Sequence, residues 1–283
     1  MLNTVQDKLI EGGLLKQEKR IDAEKKSISP TVLFEALCTD TEETMDVEEH
    51  VKKYIENKTV DISSLDLWNV YHTILTTNFD KNLIDCAPKG KKTSKPKIVD
   101  EGKYLSRRMD LALSNKIFFI HGYFDIPNTI CLGFDHYIKN LTKIQSFVTD
   151  NYSEEREFIY NDKRKSLSWV DFFFKSNTII DILGLALHVD EIDLWWLLKH
   201  RAKVFKKLKN NHIRFFDLKE AQDDNVEKKQ KMNEQIQAKR IVLDAMHVEV
   251  IPIEDTKKYD ENYYQLCMAK IKELNGISEA IEK

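Results

Sequence analysis

The sequence lacks the short cysteine and glycine motifs that most often bind metals and nucleotides. Its four cysteines, Cys38, Cys86, Cys131 and Cys267, are far apart, and no two of them form a CxxC pair. We therefore expect neither a structural zinc site nor a metal cofactor. The eight glycines never fall into GxGxxG or GxxxxGK spacing, so the dinucleotide-binding fingerprint and the P-loop are both missing. A bound nucleotide would need another device to hold its phosphates.

Long apolar runs and an excess of charge of one sign are also missing. No apolar run approaches the ~18 residues that suggest a membrane-spanning helix, so we expect no membrane partner. The segment Met1–Arg20 has neither the compact apolar stretch nor the small-residue cleavage site of a signal peptide. The formal net charge is only −3, which gives no whole-chain case for nucleic acid. We expect a cytoplasmic protein whose cysteines are reduced and act as small apolar side chains.

One local charge run is basic. Lys89–Lys97 contains five lysines together with Gly90 and Pro96, which favours a solvated loop. A phosphate-binding role for this run is the alternative. Nucleic acid is not favoured as a partner, because no aromatic residue is interleaved to stack on bases.

Six short runs rich in β-branched and aromatic residues predict strands. Segments with helical spacing lie between them; Asp193–Leu208, for example, repeats apolar residues at intervals of three and four. This alternation predicts an α/β fold with a mostly parallel sheet flanked by helices. The predicted strands are Val70–Leu75, Lys116–Ile120, Thr129–Leu132, Thr178–Leu183, His212–Phe216 and His247–Ile253.

The remaining segments are predicted to be helical. Ser29-Pro30 is a cap and first-turn pair that opens a helix through Leu37. Ala221–Met246 predicts a long helix without a sustained heptad repeat, so a coiled coil is not supported. The predicted organisation is a helical N-terminal segment at 1–66, an α/β domain at 67–255 with a helical insertion at 137–175, and a C-terminal surface helix at 256–283.

Three polar motifs directly follow predicted strands: Thr76–Asp80, His121-Gly122 and Gly184–Leu187. In open parallel sheets, ligands collect beyond the carboxyl ends of the strands. If the strands are neighbours, Asn78, Asp80 and His121 converge on one crevice. The alternative is that Asn and Asp close the strands as turn formers, and that the histidine is an ordinary satisfied side chain.

The order of these motifs resembles that of bacterial sirtuin-like domains over Leu67–Ala202. Thr76-Thr77-Asn78-Phe79-Asp80 looks like the TTNYD motif of sirtuin-like NADases, and His121-Gly122 is similar to the HG that carries the catalytic histidine. Further similar segments are Leu132–Tyr137 (LGFDHY), Ser168–Phe173 (SWVDFF), Leu183–Leu187 (LGLAL) and Glu191–Leu198 (EIDLWWLL).

The resemblance implies a Rossmann-like sheet and an NAD glycohydrolase of the antiphage-defence type, with NAD as its substrate. Asn78 and His121 would be the catalytic pair: Asn78 would bind the nicotinamide ribose or the attacking water, and His121 would act as general base. Asp193 would belong to the adenosine region, or else would be a first-turn acid favoured by the helix dipole. The implied cofactor-binding residues are Thr76, Thr77, Asp80, Gly122, Gly184 and Asp193.

The chain departs from the family pattern in ways that leave two hypotheses open. No glycine loop of the GAGxS or GNGFD type precedes Leu67, and Gly184–Leu187 lacks the usual hydroxyl. No zinc ribbon is present, which distances the chain from protein deacetylases. The first hypothesis is an NAD-cleaving effector subunit controlled by a partner protein or by homo-oligomerisation. The second is a non-catalytic nucleotide-binding or scaffold subunit of such a complex.

Overall fold

A computed structural model provides the architecture of most of the chain. It describes residues 31–32, 34–36, 49–53, 55, 62, 65–88, 97–99, 105–123, 125–126, 129–152, 167–221, 225–256 and 259–276. These residues form a mixed α/β structure with two small sheets.

The first sheet is mixed and contains four strands in the order β1-β4-β3-β2. Strands β1 and β4 are parallel, with Thr73 opposite Lys116 and Thr76 opposite Phe119. The other two pairs are antiparallel. The strands are β1 (Thr73–Thr76), β2 (Lys97–Val99), β3 (Arg108–Asp110) and β4 (Lys116–Phe119).

The second sheet is entirely parallel, in the order β5-β6-β7. Its strands are β5 (Thr178–Ile182), β6 (Asn211–Leu218) and β7 (Glu249–Ile253). The central strand β6 is buried along nearly its whole length, with His212 as its exposed residue. Because the strand is covered on both faces, it does not alternate regularly between apolar and polar residues, and its two charged residues, Arg214 and Asp217, are buried as well.

Seven helices are bounded in the described part of the chain. Two of them begin at side-chain caps: the side chain of Asn225 accepts from the N–H of Lys228, and that of Asp260 from the N–H of Tyr263. The helices are α1 (Leu67–Val70), α2 (Asn82–Asp85), α3 (Phe134–Tyr152), α4 (Asp171–Phe174), α5 (Ile192–Val204), α6 (Val226–Ala245) and α7 (Glu261–Leu274).

The main core lies where α3 and α5 cover the two sheets. Phe118 of β4, Phe215 of β6, Leu197 of α5 and the wholly buried Trp169 belong to this one apolar cluster. A second cluster joins α7 to β6 and β7 through residues such as Tyr263. Helix α7 was predicted to be a surface helix, but one of its faces is buried against β6 and β7.

The structure confirms the α/β class and most of the predicted strands and helices. The helical insertion contains α3 and α4, the long helix begins at Val226, and residues 31–32, 34–36, 49–53 and 55 of the N-terminal segment are helical. The rest of that segment, residues 89–96 of the basic run, and the end of the C-terminal helix lie outside the described residues. Lys97 itself belongs to β2.

Two parts of the prediction differ from the structure. The parallel strands are divided between two sheets, and β2 and β3, which the sequence analysis missed, make one of those sheets mixed. The segment Thr129–Leu132 is not a strand, so that prediction was wrong. Its apolar side chains are buried in a loop, where the hydroxyl of Thr129 donates to the carbonyl of Ile126 and the N–H of Cys131 to that of His121. The prediction failed because a buried loop and a buried strand have the same apolar composition.

Candidate functional site

The carboxyl ends of β1 and β4 lie side by side. The sequence analysis left open whether these strands are neighbours. The N–H of Ile120 donates to the carbonyl of Thr76 at 3.0 Å, so Asn78 and His121 each follow one of two paired strand ends. The turn after β1 is built by its own polar side chains. The hydroxyl of Thr76 accepts from the N–H of Asn78 at 3.0 Å, and Asp80 accepts from the N–H of Asn82 at 2.9 Å, where α2 begins.

A cavity of about 860 Å³ separates β1 from β5. Every residue of β1 and every residue of β5 lines it. Since successive side chains of a strand point to opposite faces, a cavity that touches all of them lies at the strand edge. The cavity therefore occupies the space between the open edges of the two sheets.

Backbone groups on both walls face this cavity. The N–H groups of Lys116 and Ile120 donate to the carbonyls of His72 and Thr76, which turns alternate residues of β1 towards β4 and leaves Thr73 and Leu75 facing the other way. No described strand pairs with β1 on that side.

The same alternation applies to β5. The N–H of Asn177 donates to the carbonyl of Lys209 beside β6, so the backbone groups of Thr178, Ile180 and Ile182 point away from β6 and into the cavity. Within the described ranges, the N–H and C=O groups on these two edges have no strand partner. They are available to a polar ligand.

Five of the eight predicted site residues line the cavity: Thr76, Thr77, Asn78, Asp80 and Gly184. Gly184 has φ of +64°, and a Cβ atom there would lie 2.1 Å from the hydroxyl of Tyr264 on α7. The glycine is thus required by its backbone conformation and by its close approach to that helix. Its position beside the cavity is compatible with ligand contact as well.

The other three predicted residues, His121, Gly122 and Asp193, do not line the cavity. His121 is only 2% exposed, and its Nε2 lies 3.1 Å from Oδ2 of Asp193, which is fully buried. The ring of Tyr137 packs edge-on against the imidazole, with ring centroids 5.2 Å apart. The pairing of β1 with β4 brings the backbones of Asn78 and His121 close together. The side chain of His121, however, lies between α3 and α5.

Gly122 has a structural role of its own. Its φ is +109°, and an added Cβ would lie 2.2 Å from the backbone carbonyl oxygen of Thr129. Any side chain would collide with the loop that replaces the predicted strand Thr129–Leu132. The glycine after His121 is therefore explained without a ligand.

Asp193 occupies the first-turn position of one of the two alternatives, and it does not line the cavity in which the other would place it. It is in the first turn of α5, as the helix-dipole interpretation requires, and it also contacts His121 instead of the cavity. Two further donors reach its carboxylate: Nδ2 of Asn140 at 2.5 Å and the N–H of Leu194 at 2.9 Å. Asn140, on α3, is the member of this cluster that the sequence analysis did not select.

Burial favours the protonated form of three groups around His121. Burial, and then the nearby carboxylate of Asp193, raises the pKa of the Cys131 thiol far above its ordinary value. Burial is also the main cause that raises the pKa of the Tyr137 hydroxyl. At the N-terminus of α5, burial raises the pKa of Glu191, although the nearby His121 opposes this shift. These groups hold their protons more tightly than they would in water.

A second polar network, missed by the sequence analysis, borders the cavity. Arg214 of β6 makes a two-pronged contact with Asp181 of β5, with N···O distances of 2.5 and 2.7 Å, and Tyr71 donates to the same carboxylate at 2.5 Å. Burial and the neighbouring carboxylate raise the pKa of the Tyr71 hydroxyl. The signal in the sequence was the single acid in the apolar strand Thr178–Ile182.

Within the described ranges, no group of three or more His, Cys, Asp or Glu side chains is placed to hold a metal ion. No helix among the described residues is long and apolar enough to cross a membrane.

No protein-family model matches the chain, and no curated protein is detectably similar to it.

Proposed function

We propose that this chain binds NAD in the cavity between β1 and β5 and cleaves its nicotinamide–ribose bond. The observation that carries the proposal is the position of Asn78. It follows a parallel strand, lines a cavity of about 860 Å³ and lies beside the strand end that carries His121. A Rossmann-like crevice, with β1 and β5 as its walls, is part of this proposal.

The cavity supports the proposal because it offers donors that the missing glycine motifs do not. The N–H groups of Leu75, Ile180 and Ile182 face it from both walls. Backbone N–H groups bind phosphate oxygens in many nucleotide sites. In this proposal, the N–H groups on these open strand edges bind the diphosphate of NAD.

The proposed reaction is the hydrolysis of one glycosidic bond. The bond between C1′ of the ribose and the nicotinamide nitrogen breaks, its electron pair stays with nicotinamide, and an oxocarbenium-like centre forms. Water attacks C1′ and loses one proton, which ends in solvent; the sirtuin-like resemblance assigns the role of general base to His121. The products are nicotinamide, ADP-ribose and one proton. Asn78 binds the ribose or the attacking water.

The biological setting rests on the sirtuin-like resemblance alone. We propose an effector subunit of a bacterial antiphage defence system, acting in the cytoplasm and held inactive by a partner protein or by homo-oligomerisation. Uncontrolled NAD cleavage would kill the host cell, so control by association is expected of such an enzyme.

A second candidate function is favoured by one observation. The imidazole of His121 is buried against Asp193 and does not line the cavity. A non-catalytic subunit that binds nucleotide as a scaffold needs no accessible base. It would keep His121 as part of a structural polar cluster.

The two candidates are separated by measuring both binding and turnover. The purified chain, alone and with the proteins encoded beside it, is titrated with NAD by calorimetry and assayed for released nicotinamide. For the enzyme, we expect Asn78→Ala and His121→Ala to lower kcat/KM by about 10²-fold or more. The controls are His212→Ala on the exposed position of β6 and Asn151→Ala on α3.

The outcomes are distinct. NAD binding that is weakened by Asn78→Ala, without turnover in any mixture, supports the scaffold. Turnover that neither Asn78→Ala nor His121→Ala changes removes the site assignment. Absence of both binding and turnover ends the NAD proposal.

A further inference from the structure

His121, Asn140 and Asp193 form a buried hydrogen-bonded cluster between α3 and α5. The carboxylate of Asp193 is its centre, with three donors: Nε2 of His121 at 3.1 Å, Nδ2 of Asn140 at 2.5 Å and the N–H of Leu194 at 2.9 Å. Among the described residues, no lysine or arginine pairs with it. Its charge is compensated by these donors and by the N-terminus of α5.

Asn140 turns its amide nitrogen, and not its oxygen, toward Asp193. Asn140 donates its amide N–H to Asp193, while its own Oδ1 is buried without a partner in the described structure. Leaving a buried acceptor unsatisfied is unfavourable, so this arrangement fits a side chain that needs donors.

The contact with the Asp193 carboxylate decides which nitrogen of His121 carries the proton. A carboxylate only accepts hydrogen bonds, so the neutral imidazole must carry its proton on Nε2. Nδ1 makes no hydrogen bond within the described part of the chain. It is therefore the one ring nitrogen with a free lone pair.

We propose that Asp193 and Asn140 are positioning residues that hold His121 with its proton on Nε2 and leave Nδ1 as the ring nitrogen that can accept a proton. This assignment rests on the proposed function for its catalytic meaning. If His121 serves as the base of the proposed hydrolysis, Nδ1 takes up the proton that water loses as its oxygen bonds to C1′, and later passes it to solvent. The Nε2–H bond to Asp193 is kept throughout and stabilises the imidazolium that forms.

The tautomer is tested without any substrate by long-range ¹H–¹⁵N correlation NMR of the histidine side chains in the full chain, with His121 assigned by comparison with His121→Gln. In the unmodified protein we expect neutral His121 to carry its proton on Nε2. In Asp193→Asn we expect the ratio of the two tautomers to fall by about tenfold or more. Asp244→Asn, at an exposed position of α6, is the matched control and should leave the spectrum of His121 unchanged.

A proton on Nδ1 in the unmodified protein overturns the proposal, whether or not the variants fold. An unchanged ratio in a folded Asp193→Asn also overturns it. With NAD as substrate, Asp193→Asn and Asn140→Leu should lower kcat by about 10- to 100-fold with little change in KM, because neither residue lines the cavity. A rise in KM alone would contradict the positioning role. The expected NMR result without NAD turnover would count against the proposed function and leave the cluster geometry standing.

Discussion

The residues after β1 and the residues after β4 begin at the same edge of one parallel strand pair and end in different environments. Asn78 lies in the wall of the interstrand cavity, whereas His121 is buried with Asp193 and Asn140 beneath α3 and α5. Strand pairing sets the backbone register of both residues. It does not set the face to which each side chain turns.

The two regions differ in whether a ligand can reach their polar groups. The cavity wall has polar groups that a ligand can reach, including backbone groups of β1 and β5 that pair with no strand in the described part of the chain. The buried cluster has a fixed hydrogen-bonding geometry around one carboxylate. Substitutions on the wall should therefore act on binding, and substitutions in the cluster should act on stability and on the state of His121.

The largest expected effect on stability is that of Asp193→Ala. It leaves buried donors on His121 and Asn140 without an acceptor, and should lower the free energy of unfolding by about 3 kcal/mol in urea denaturation. Asp80→Ala, on the cavity wall, loses only the bond from the N–H of Asn82 and should cost about 1 kcal/mol. Equal losses in the two variants would erase the contrast between the regions.

Amide hydrogen exchange should reveal the open edges directly. Within β5, the N–H groups of Ile179 and Asp181 face β6, and we expect them to exchange about 10²-fold or more slowly than those of Ile180 and Ile182. The same contrast is expected in β1 between Ile74 and Leu75. Uniform protection along either strand in the purified chain would mean that its cavity edge is covered.

The buried thiols should resist alkylation in the native state. Burial raises the pKa of Cys267 to about 12 and that of Cys131 still higher, so almost no reactive thiolate is present at about pH 8. Cys86, which follows α2 and is only partly buried, should be modified by iodoacetamide well before either of them. Mass spectrometry of the native protein measures which cysteine is alkylated first. Comparable rates for Cys131 and Cys86 would show that the region around His121 and Asp193 is open to solvent.

The smallest expected effect is a pH dependence at the edge of the cluster. Burial raises the pKa of Glu191, so its ionisation opposes folding. This penalty is absent below the unfolded-state pKa of about 4.3, grows as the pH rises through that value, and is complete above the folded-state pKa. Glu191→Gln should therefore gain stability relative to the unmodified chain at about pH 7 and not at about pH 3.5. A gain of equal size at both pH values would assign the effect to packing instead.

The sequence predicted the local features of the fold and the site. β-branched runs placed β1, β4 and β5, turn residues placed Asn78 and Asp80, and helical spacing placed α5. It did not predict the short antiparallel strands β2 and β3, and it assigned a strand to the buried loop at Thr129–Leu132. Strands β2 (Lys-Ile-Val) and β3 (Arg-Met-Asp) have three residues each, too few to show an alternating pattern. The loop at Thr129–Leu132 has the apolar composition of a buried strand, so composition alone does not distinguish the two.

Local sequence was enough to identify the side chains that follow each strand, because strand ends and turns depend on the types of neighbouring residues. The tertiary structure decided that Asn140 and Asp193, 53 positions apart, share a hydrogen bond, and that Asp193, 72 positions from His121, holds the histidine inside the core. It also decided that β1 and β5 face each other across a cavity instead of pairing. Such contacts depend on how helices and sheets pack at long range, and no local pattern of residues encodes the direction in which a buried side chain turns.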